Sequence, residues 1–341
     1  MFTDAGDEVL PHGGDLGTAR RLFPGAPEPF IDLSTGINPW SYPLAQFSPK
    51  GFQQLPQQDA LTTVAVAAAN AYGAPSAEHV VIAPGSQILL PLAASLLPAA
   101  RAAVVSPTYL EFARSAALAG HDVKEVESIE QCGDANLVMV ANPNNPDGRR
   151  LPRARLLRLV QDLRPRGGLL VIDEAFMDAE PAGESLAAEV ADGNVVVLRS
   201  FGKFFGLPGL RLGFALSAPA PARRLAAVLG PWPASTAALA IAATALADLT
   251  WIERTRNKLA KAATSLDAIL VATGLEIIGG TDLFRLVRSE AAPRLFRHLG
   301  HAGIYVRTFP DNPTWLRFGL PANAGARARL NKALESFRQT T

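Results

Sequence analysis

Between residues 50 and 230 the chain alternates short, largely apolar runs with longer segments whose apolar positions recur every three to four residues. The runs are Val80–Ala83, Ala102–Val105, Leu137–Ala141, Leu169–Ile172, Asn194–Arg199 and Leu212–Leu216. Runs without polar alternation suit strands buried on both faces, as in a parallel sheet. The longer segments predict helices over Ala60–Tyr72, from the turn Pro84–Gln87 to about Leu97, and over Leu110–Ala119, Arg153–Leu163 and Pro221–Leu229. In the fourth of these, Leu156, Leu157, Leu159 and Val160 form a core-facing stripe with arginines opposite. Strand and helix in alternation predict an α/β fold, a mostly parallel sheet with helices on both faces.

The pattern changes after Pro231-Trp232-Pro233. Ser235 to about Ala272 reads as alanine-rich helix, broken or bent near Leu249-Thr250. Strands at Leu283–Val287 and Trp315–Leu320, with helices near Pro293–Ala302 and Asn323–Gln339, predict a smaller α+β domain. Residues 1–45 show little periodicity and read as an arm. The expected divisions are an arm and part of the small domain over 1–48, a large domain over 49–232, and a connecting helix with the small domain over 233–341.

Composition narrows the class. With 48% apolar and 18% charged residues, the 341-residue chain has the means to build a large core. A net charge of +1 gives no reason to expect nucleic acid or an anionic membrane as partner. The acidic start lacks the pattern of a signal peptide, and the apolar region Val80–Val105 is interrupted by Pro84, Pro91 and Pro98. A single cysteine, Cys132, excludes an internal disulfide and a cysteine-based zinc cluster. A soluble cytoplasmic enzyme with no metal is expected.

Candidate chemistry gathers where the apolar runs end. Ser200-Phe201-Gly202-Lys203-Phe204-Phe205-Gly206-Leu207-Pro208-Gly209-Leu210-Arg211-Leu212-Gly213 is a glycine-rich connection holding one lysine and one arginine. An ammonium among phenylalanines is partly desolvated, which favours the neutral amine and attack on a carbonyl. Arg211 offers a planar fork for phosphate, with the Ser200 hydroxyl in the same segment. Asn142-Pro143-Asn144-Asn145-Pro146-Asp147-Gly148 makes a turn after a buried strand, and Leu169–Ile172 runs into Asp173-Glu174-Ala175-Phe176. A carboxylate ending a buried strand calls for a partner. Gly85, Ser86 and Gln87 form a strand-to-helix turn, which turns N–H groups and a positive helix end toward an anion. Arg307 and Arg317 each follow or interrupt apolar residues, which implies anionic partners.

S-F-G-K-F-F-G-L-P-G-L-R-L-G resembles the cofactor-lysine segment of fold-type I pyridoxal-phosphate enzymes, within them the histidinol-phosphate aminotransferase group and its relatives, the threonine-phosphate decarboxylases. The resemblance runs collinearly from His12 to Arg317. His12-Gly13-Gly14, followed by Ile31-Asp32-Leu33-Ser34-Thr35-Gly36-Ile37-Asn38-Pro39, is similar to the opening of the decarboxylases. It implies a large domain with a seven-stranded sheet, Leu212–Leu216 running antiparallel, a small α+β domain, and a homodimer. Pyridoxal 5'-phosphate would be bonded to Lys203, its phosphate held by Ser200, Arg211 and the turn at Gly85, Ser86 and Gln87. Tyr109, in Pro107-Thr108-Tyr109, would stack on the ring; Asn145 would bond the phenolic oxygen; Asp173 would pair with the pyridine nitrogen. For a small phosphorylated amino-acid substrate, the resemblance assigns the phosphate to His12 and Gly13, the carboxylate to Arg317, and further contacts to Arg307 and Asn145. Three positions depart from the aminotransferases: Leu55 where a cross-subunit tyrosine is usual, Asp147 for threonine, and Phe176 for tyrosine.

The implied activity is decarboxylation of O-phospho-L-threonine to (R)-1-aminopropan-2-yl phosphate for cobalamin biosynthesis. The alternative is an aminotransferase of histidinol phosphate or a related phosphorylated amine. A binding module on the same fold would have no need of Lys203, Asp173, Asn145 and Arg211 together. A nicotinamide enzyme is disfavoured because no G-x-G-x-x-G follows an early strand.

Overall fold

The computed structural model describes residues 12–44, 49–181 and 183–339, so the acidic residues at the start of the chain lie outside it. Twelve strands occur among the described residues: β1 (Ile31–Leu33), β2 (Val80–Ala83), β3 (Arg101–Val105), β4 (Asp122–Val126), β5 (Leu137–Ala141), β6 (Leu169–Asp173), β7 (Val195–Ser200), β8 (Gly213–Leu216), β9 (Glu276–Thr281), β10 (Phe284–Arg288), β11 (Ile304–Thr308) and β12 (Trp315–Gly319). The chain divides into two compact units, one of residues 1–40, 146–148 and 255–341, the other of 41–145 and 149–254.

The second unit holds a seven-stranded sheet in the order β2-β8-β7-β6-β5-β3-β4. Strands β7, β6, β5, β3 and β4 run parallel, and β8 lies antiparallel to both β7 and β2, as the resemblance implied. Every residue of β5 and β7 is buried. That is why Leu137–Ala141 and residues 195–198 read as unbroken apolar runs; each buried Val or Leu contributes roughly 1.5–3 kcal/mol. One core cluster joins Leu89, Leu90, Val104, Phe112, Met139, Val171, Val196 and Leu198. The exception is β4, whose Asp-Val-Lys-Glu-Val sequence lies at the sheet edge, where exposed charge is tolerated; apolar patterning passes it over.

The first unit has a five-stranded sheet in the order β1-β11-β12-β10-β9, with β1 parallel to β11 and the rest antiparallel. The arm is more ordered than its lack of periodicity suggested. A helix over Leu16–Leu22 is capped by Asp15, which accepts from the Thr18 N–H at 3.1 Å, and β1 joins the sheet. Apolar patterning also passes over β9, because Gly279-Gly280 interrupts it. A Cβ at Gly279 would lie 2.0 Å from the Asp147 carbonyl oxygen, so the glycines let residues 147–148 approach, and Gly280 N–H donates to that oxygen at 2.8 Å.

The expected bend falls at Asp248, between helices Thr236–Ala247 and Leu249–Ala272. Asp248 accepts from the Trp251 N–H at 2.9 Å and from the Tyr42 hydroxyl at 3.2 Å. No single helix among the described residues is long and apolar enough to cross a membrane. Cys132 is buried, and burial pushes its thiol up to about 11.

Candidate active site

All cofactor-binding candidates belong to the second unit and follow the carboxyl ends of β2, β3, β5, β6 and β7, or precede the antiparallel β8. This is the end of the strands at which open α/β folds bind ligands. Lys203 does not lie in an open connection. It sits in one helical turn, Phe201–Phe204, with Phe201 and Phe204 fully buried beneath it. Phe201 stacks on Phe205 at 4.4 Å between centroids, and Phe205 stacks on Trp251 at 5.6 Å. These rings hold the turn, leaving Lys203 partly buried with its Nζ 5.7 Å from the centre of the Phe176 ring.

Asp173 ends β6 and accepts from the Ala175 N–H at 3.0 Å. Burial pushes its carboxyl up to about 6; that hydrogen bond and the Lys203 charge oppose the shift. Its ionised form therefore gains from a cation brought to it.

The turn at Gly85–Gln87, expected to face an anion, is built differently from the expectation. The helix after it covers only Leu89–Ala94, with the Ser95 hydroxyl bonding back to the Leu92 carbonyl, and does not reach Leu97. So short a helix adds little dipole, and the groups here that suit an anion are the N–H groups of the turn and Arg211. The N–H groups of Ser86 and Gln87 donate to no carbonyl among the described residues. Gly85 has φ +94°, and a Cβ there would lie 2.9 Å from Arg211 Nη2, so glycine lets the guanidinium close on the turn. Arg211 itself has φ +50°, the one non-glycine residue with positive φ among those described. This strained backbone aims a cation at Gly85. On the pairing strand, a Cβ at Gly213 would stand 2.3 Å from the Ser86 nitrogen. Gly213→Ala is expected to cost roughly 1–3 kcal/mol and to loosen an anion held by the turn. Thermal unfolding and cofactor titration check this; unaltered affinity would separate the glycine from the cradle.

Asn144 ties two loops together. It accepts from the Thr108 hydroxyl at 2.7 Å and donates to the Pro107 carbonyl at 2.8 Å. It thereby fixes the segment carrying Tyr109 to the one carrying Asn145, a role the motif alone did not reveal. Tyr109 rests edge-on against Phe112 at 6.4 Å. The partner of Glu174 was also missed. Arg199, buried within β7, donates to Glu174 at 2.7 Å and to Asp178 at 2.5 Å. An arginine inside an otherwise apolar strand was the available signal.

The substrate candidates His12, Gly13, Arg307 and Arg317 belong to the first unit. Arg307 and Arg317 are paired residues on β11 and β12. Arg317 is buried, donates to the Ser34 carbonyl at 2.8 Å and lies 5.1 Å over the Phe284 ring. Desolvation, then the Arg307 charge, pushes its guanidinium down to about 9, with Asp32 opposing. Ser34 also receives the Gly14 N–H on its hydroxyl at 2.8 Å, and a Cβ at Gly13 would meet the Ser34 carbonyl oxygen at 2.5 Å. Ser34 thus joins the His12–Gly14 turn to Arg317, and glycine at 13 is required by the close approach. Asn145 belongs to the other unit.

Residues 46–337 match the family described as aminotransferase class I and II, and the chain belongs to that family. Its relatives include a threonine-phosphate decarboxylase from Sinorhizobium sp., 39% identical over 95% of this chain and 97% of the relative. Another of that name, from Pseudomonas aeruginosa, is 38% identical over 97% and 99%. Among solved structures, the histidinol-phosphate aminotransferase from Sinorhizobium meliloti in complex with pyridoxal-5'-phosphate superposes with a TM-score of 0.82 at 22% identity, covering 99% of this chain and 98% of that one. The L-threonine-O-3-phosphate decarboxylase from Porphyromonas gingivalis gives 0.75 at 22%, covering 91% and 99%.

The enzyme's cofactor is pyridoxal 5'-phosphate, and the residues present fit it. The Asp173 carboxyl suits a protonated ring nitrogen. The Ser86 and Gln87 N–H groups and the guanidinium closed on Gly85 suit a phosphate. Lys203 supplies an amine whose charge acts on Asp173.

Proposed function

We propose that this enzyme decarboxylates O-phospho-L-threonine to (R)-1-aminopropan-2-yl phosphate, a step serving cobalamin biosynthesis. Two relatives 38–39% identical over nearly the whole chain carry that activity in their names. The observation that carries the reading is the paired Arg307 and Arg317, with the His12–Gly14 turn on the same Ser34. Two adjacent cations, one of them buried, suit a substrate bearing both a carboxylate and a phosphate. Histidinol phosphate has no carboxylate to offer.

Bound pyridoxal phosphate supplies the electron sink for the electrons of the broken bond. Lys203 would bond the cofactor, and its side chain, once freed and protonated to the ammonium, would deliver the proton that replaces carbon dioxide on the substrate carbon. Asp173 would hold the proton of the pyridine nitrogen, Asn145 the phenolic oxygen and Tyr109 the ring face. Ser200, Arg211, Gly85, Ser86 and Gln87 would hold the cofactor phosphate. Arg317 takes the substrate carboxylate, His12 and Gly13 its phosphate, and Arg307 and Asn145 add polar contacts. The working unit in this reading is a cytoplasmic homodimer.

Recognition of the phosphate is tested by comparing kcat/KM for O-phospho-L-threonine and L-threonine. His12→Ala should weaken the phosphorylated substrate selectively, by about 1.5–3 kcal/mol or one to two decades. An equal loss with both substrates would remove His12 from the phosphate site.

A further inference from the structure

A group of buried charges backs the cofactor site and is unused by the chemistry above. The Arg199 guanidinium is clamped between Glu174 and Asp178, and it lies 4.4 Å over the Tyr72 ring. All three charged side chains are buried. Glu174 also accepts from the Ser185 hydroxyl at 2.6 Å and the Leu186 N–H at 2.9 Å, and its own N–H donates to Leu198 at 2.8 Å. Asp173 and Glu174 are consecutive at the end of β6, as Arg199 and Ser200 are at the end of β7. Side chains alternate along a strand, so Arg199 and Glu174 share one face while Asp173 and Ser200 take the other.

Stability alone does not account for this arrangement. Replacing a buried ion triad with apolar side chains of similar volume is commonly neutral or stabilising. Charge balance gives a better reason. Two carboxylates and one guanidinium carry a formal charge of −1 behind the sheet, where burial pushes the Glu174 carboxyl up and the Arg199 charge opposes it; Tyr72, whose hydroxyl burial pushes well above its ordinary value, adds none. Among the charges acting on the Asp173 carboxyl, Glu174 raises it while Lys203 and Arg199 lower it, so without Arg199 the charge of Glu174 would meet no cation on its own side of the strand end.

We propose that Arg199 is a positioning residue for the cofactor: it offsets Glu174 and Asp178 so that Asp173, on the facing side of the strand end, is ionised where the proton of the pyridine nitrogen must be held. The inference rests on the reading of Asp173 as that partner. It extends the functional site to the rear of the sheet, with Arg199 acting through Asp173 and touching neither substrate nor cofactor.

The test uses the holoenzymes of Arg199→Met, Arg199→Lys, Asp173→Asn and the neutral triple variant Glu174→Gln/Arg199→Met/Asp178→Asn. Two properties are read: the dissociation constant of pyridoxal phosphate, and the pH at which its visible band changes. A positive ring, stabilised by ionised Asp173, eases proton loss at the lysine nitrogen. Arg199→Met should therefore raise that pH by roughly one unit and weaken cofactor binding roughly tenfold. Arg199→Lys, which keeps the charge and loses the fork, should keep the wild-type midpoint. The triple variant, which removes all three charges, should recover the midpoint and most of the affinity. A folded Arg199→Met with native midpoint and affinity would overturn the proposal, as would a triple variant as impaired as the single one. Should Arg199→Met fail to fold, the other two variants decide: a midpoint raised above the wild type in Arg199→Lys, or in the triple variant, would overturn the proposal. An unaltered Asp173→Asn would instead overturn the underlying assignment of Asp173.

Discussion

Lys203→Ala is expected to fold normally and to lose turnover almost completely. The side chain is partly buried and sits above a turn held by Phe201, Phe204, Phe205 and Trp251, none of which depends on the ammonium for its packing. Loss of the acid–base group alone should remove about two to four decades of rate. Loss of the covalent bond to the cofactor compounds this. Pyridoxal phosphate should still bind, more weakly, through Ser200, Arg211 and the Gly85–Gln87 turn, so the variant should give a dialysable chromophore. In the wild type, borohydride reduction followed by peptide mapping should place the cofactor on Lys203. A reduced adduct on another lysine would contradict the assignment.

Asp173→Asn should have opposite effects on the cofactor-stripped and loaded proteins. The Asp173 carboxyl is pushed from an ordinary 3.8 to about 6. A folded-state value above the unfolded one means that folding takes up a proton between the two. The resulting advantage is fully present below about pH 4 and is lost as pH rises through about 6, leaving an ionised carboxylate in a poorly solvated position. A displacement of that size is worth on the order of 3 kcal/mol. Asn in its place should therefore raise the melting temperature of the stripped protein at about pH 8, with the gain vanishing toward pH 4. The loaded enzyme should lose turnover, because a neutral amide does not stabilise a protonated pyridine. Stripped-protein melting curves at the two pH values, with turnover of the loaded form, check both halves. A variant with near-normal turnover would make Asp173 a structural strand-end carboxylate.

What could be read from the chain was set by how local the signal is. Strands β5, β6 and β7 are buried on both faces, so their sequences alone marked them, and the motifs at their carboxyl ends carried Asn145, Asp173 and Lys203 with them. β4 was missed because an edge strand keeps its charges, and β9 because Gly279-Gly280 serves the approach of residues 147–148, distant in sequence. The substrate candidates were legible as isolated residues. Their convergence was not, since it runs through Ser34, which bonds to both the His12–Gly14 turn and Arg317. The Arg211 fold onto Gly85 depends on a positive φ that no propensity favours. Lys203 itself was plain, but the helical turn that presents it is held by Trp251, far along the chain.

Decarboxylation and transamination draw on the same lysine and the same ring, and differ in which bond of the substrate is broken. The most direct measurement offers the enzyme O-phospho-L-threonine and, separately, histidinol phosphate. It follows carbon dioxide release and, with 2-oxoglutarate present, glutamate formation. Stoichiometric carbon dioxide and aminopropanol phosphate are expected from O-phospho-L-threonine, with little or no glutamate from either compound. Glutamate without carbon dioxide would contradict this and make the enzyme an aminotransferase on the same fold and cofactor site.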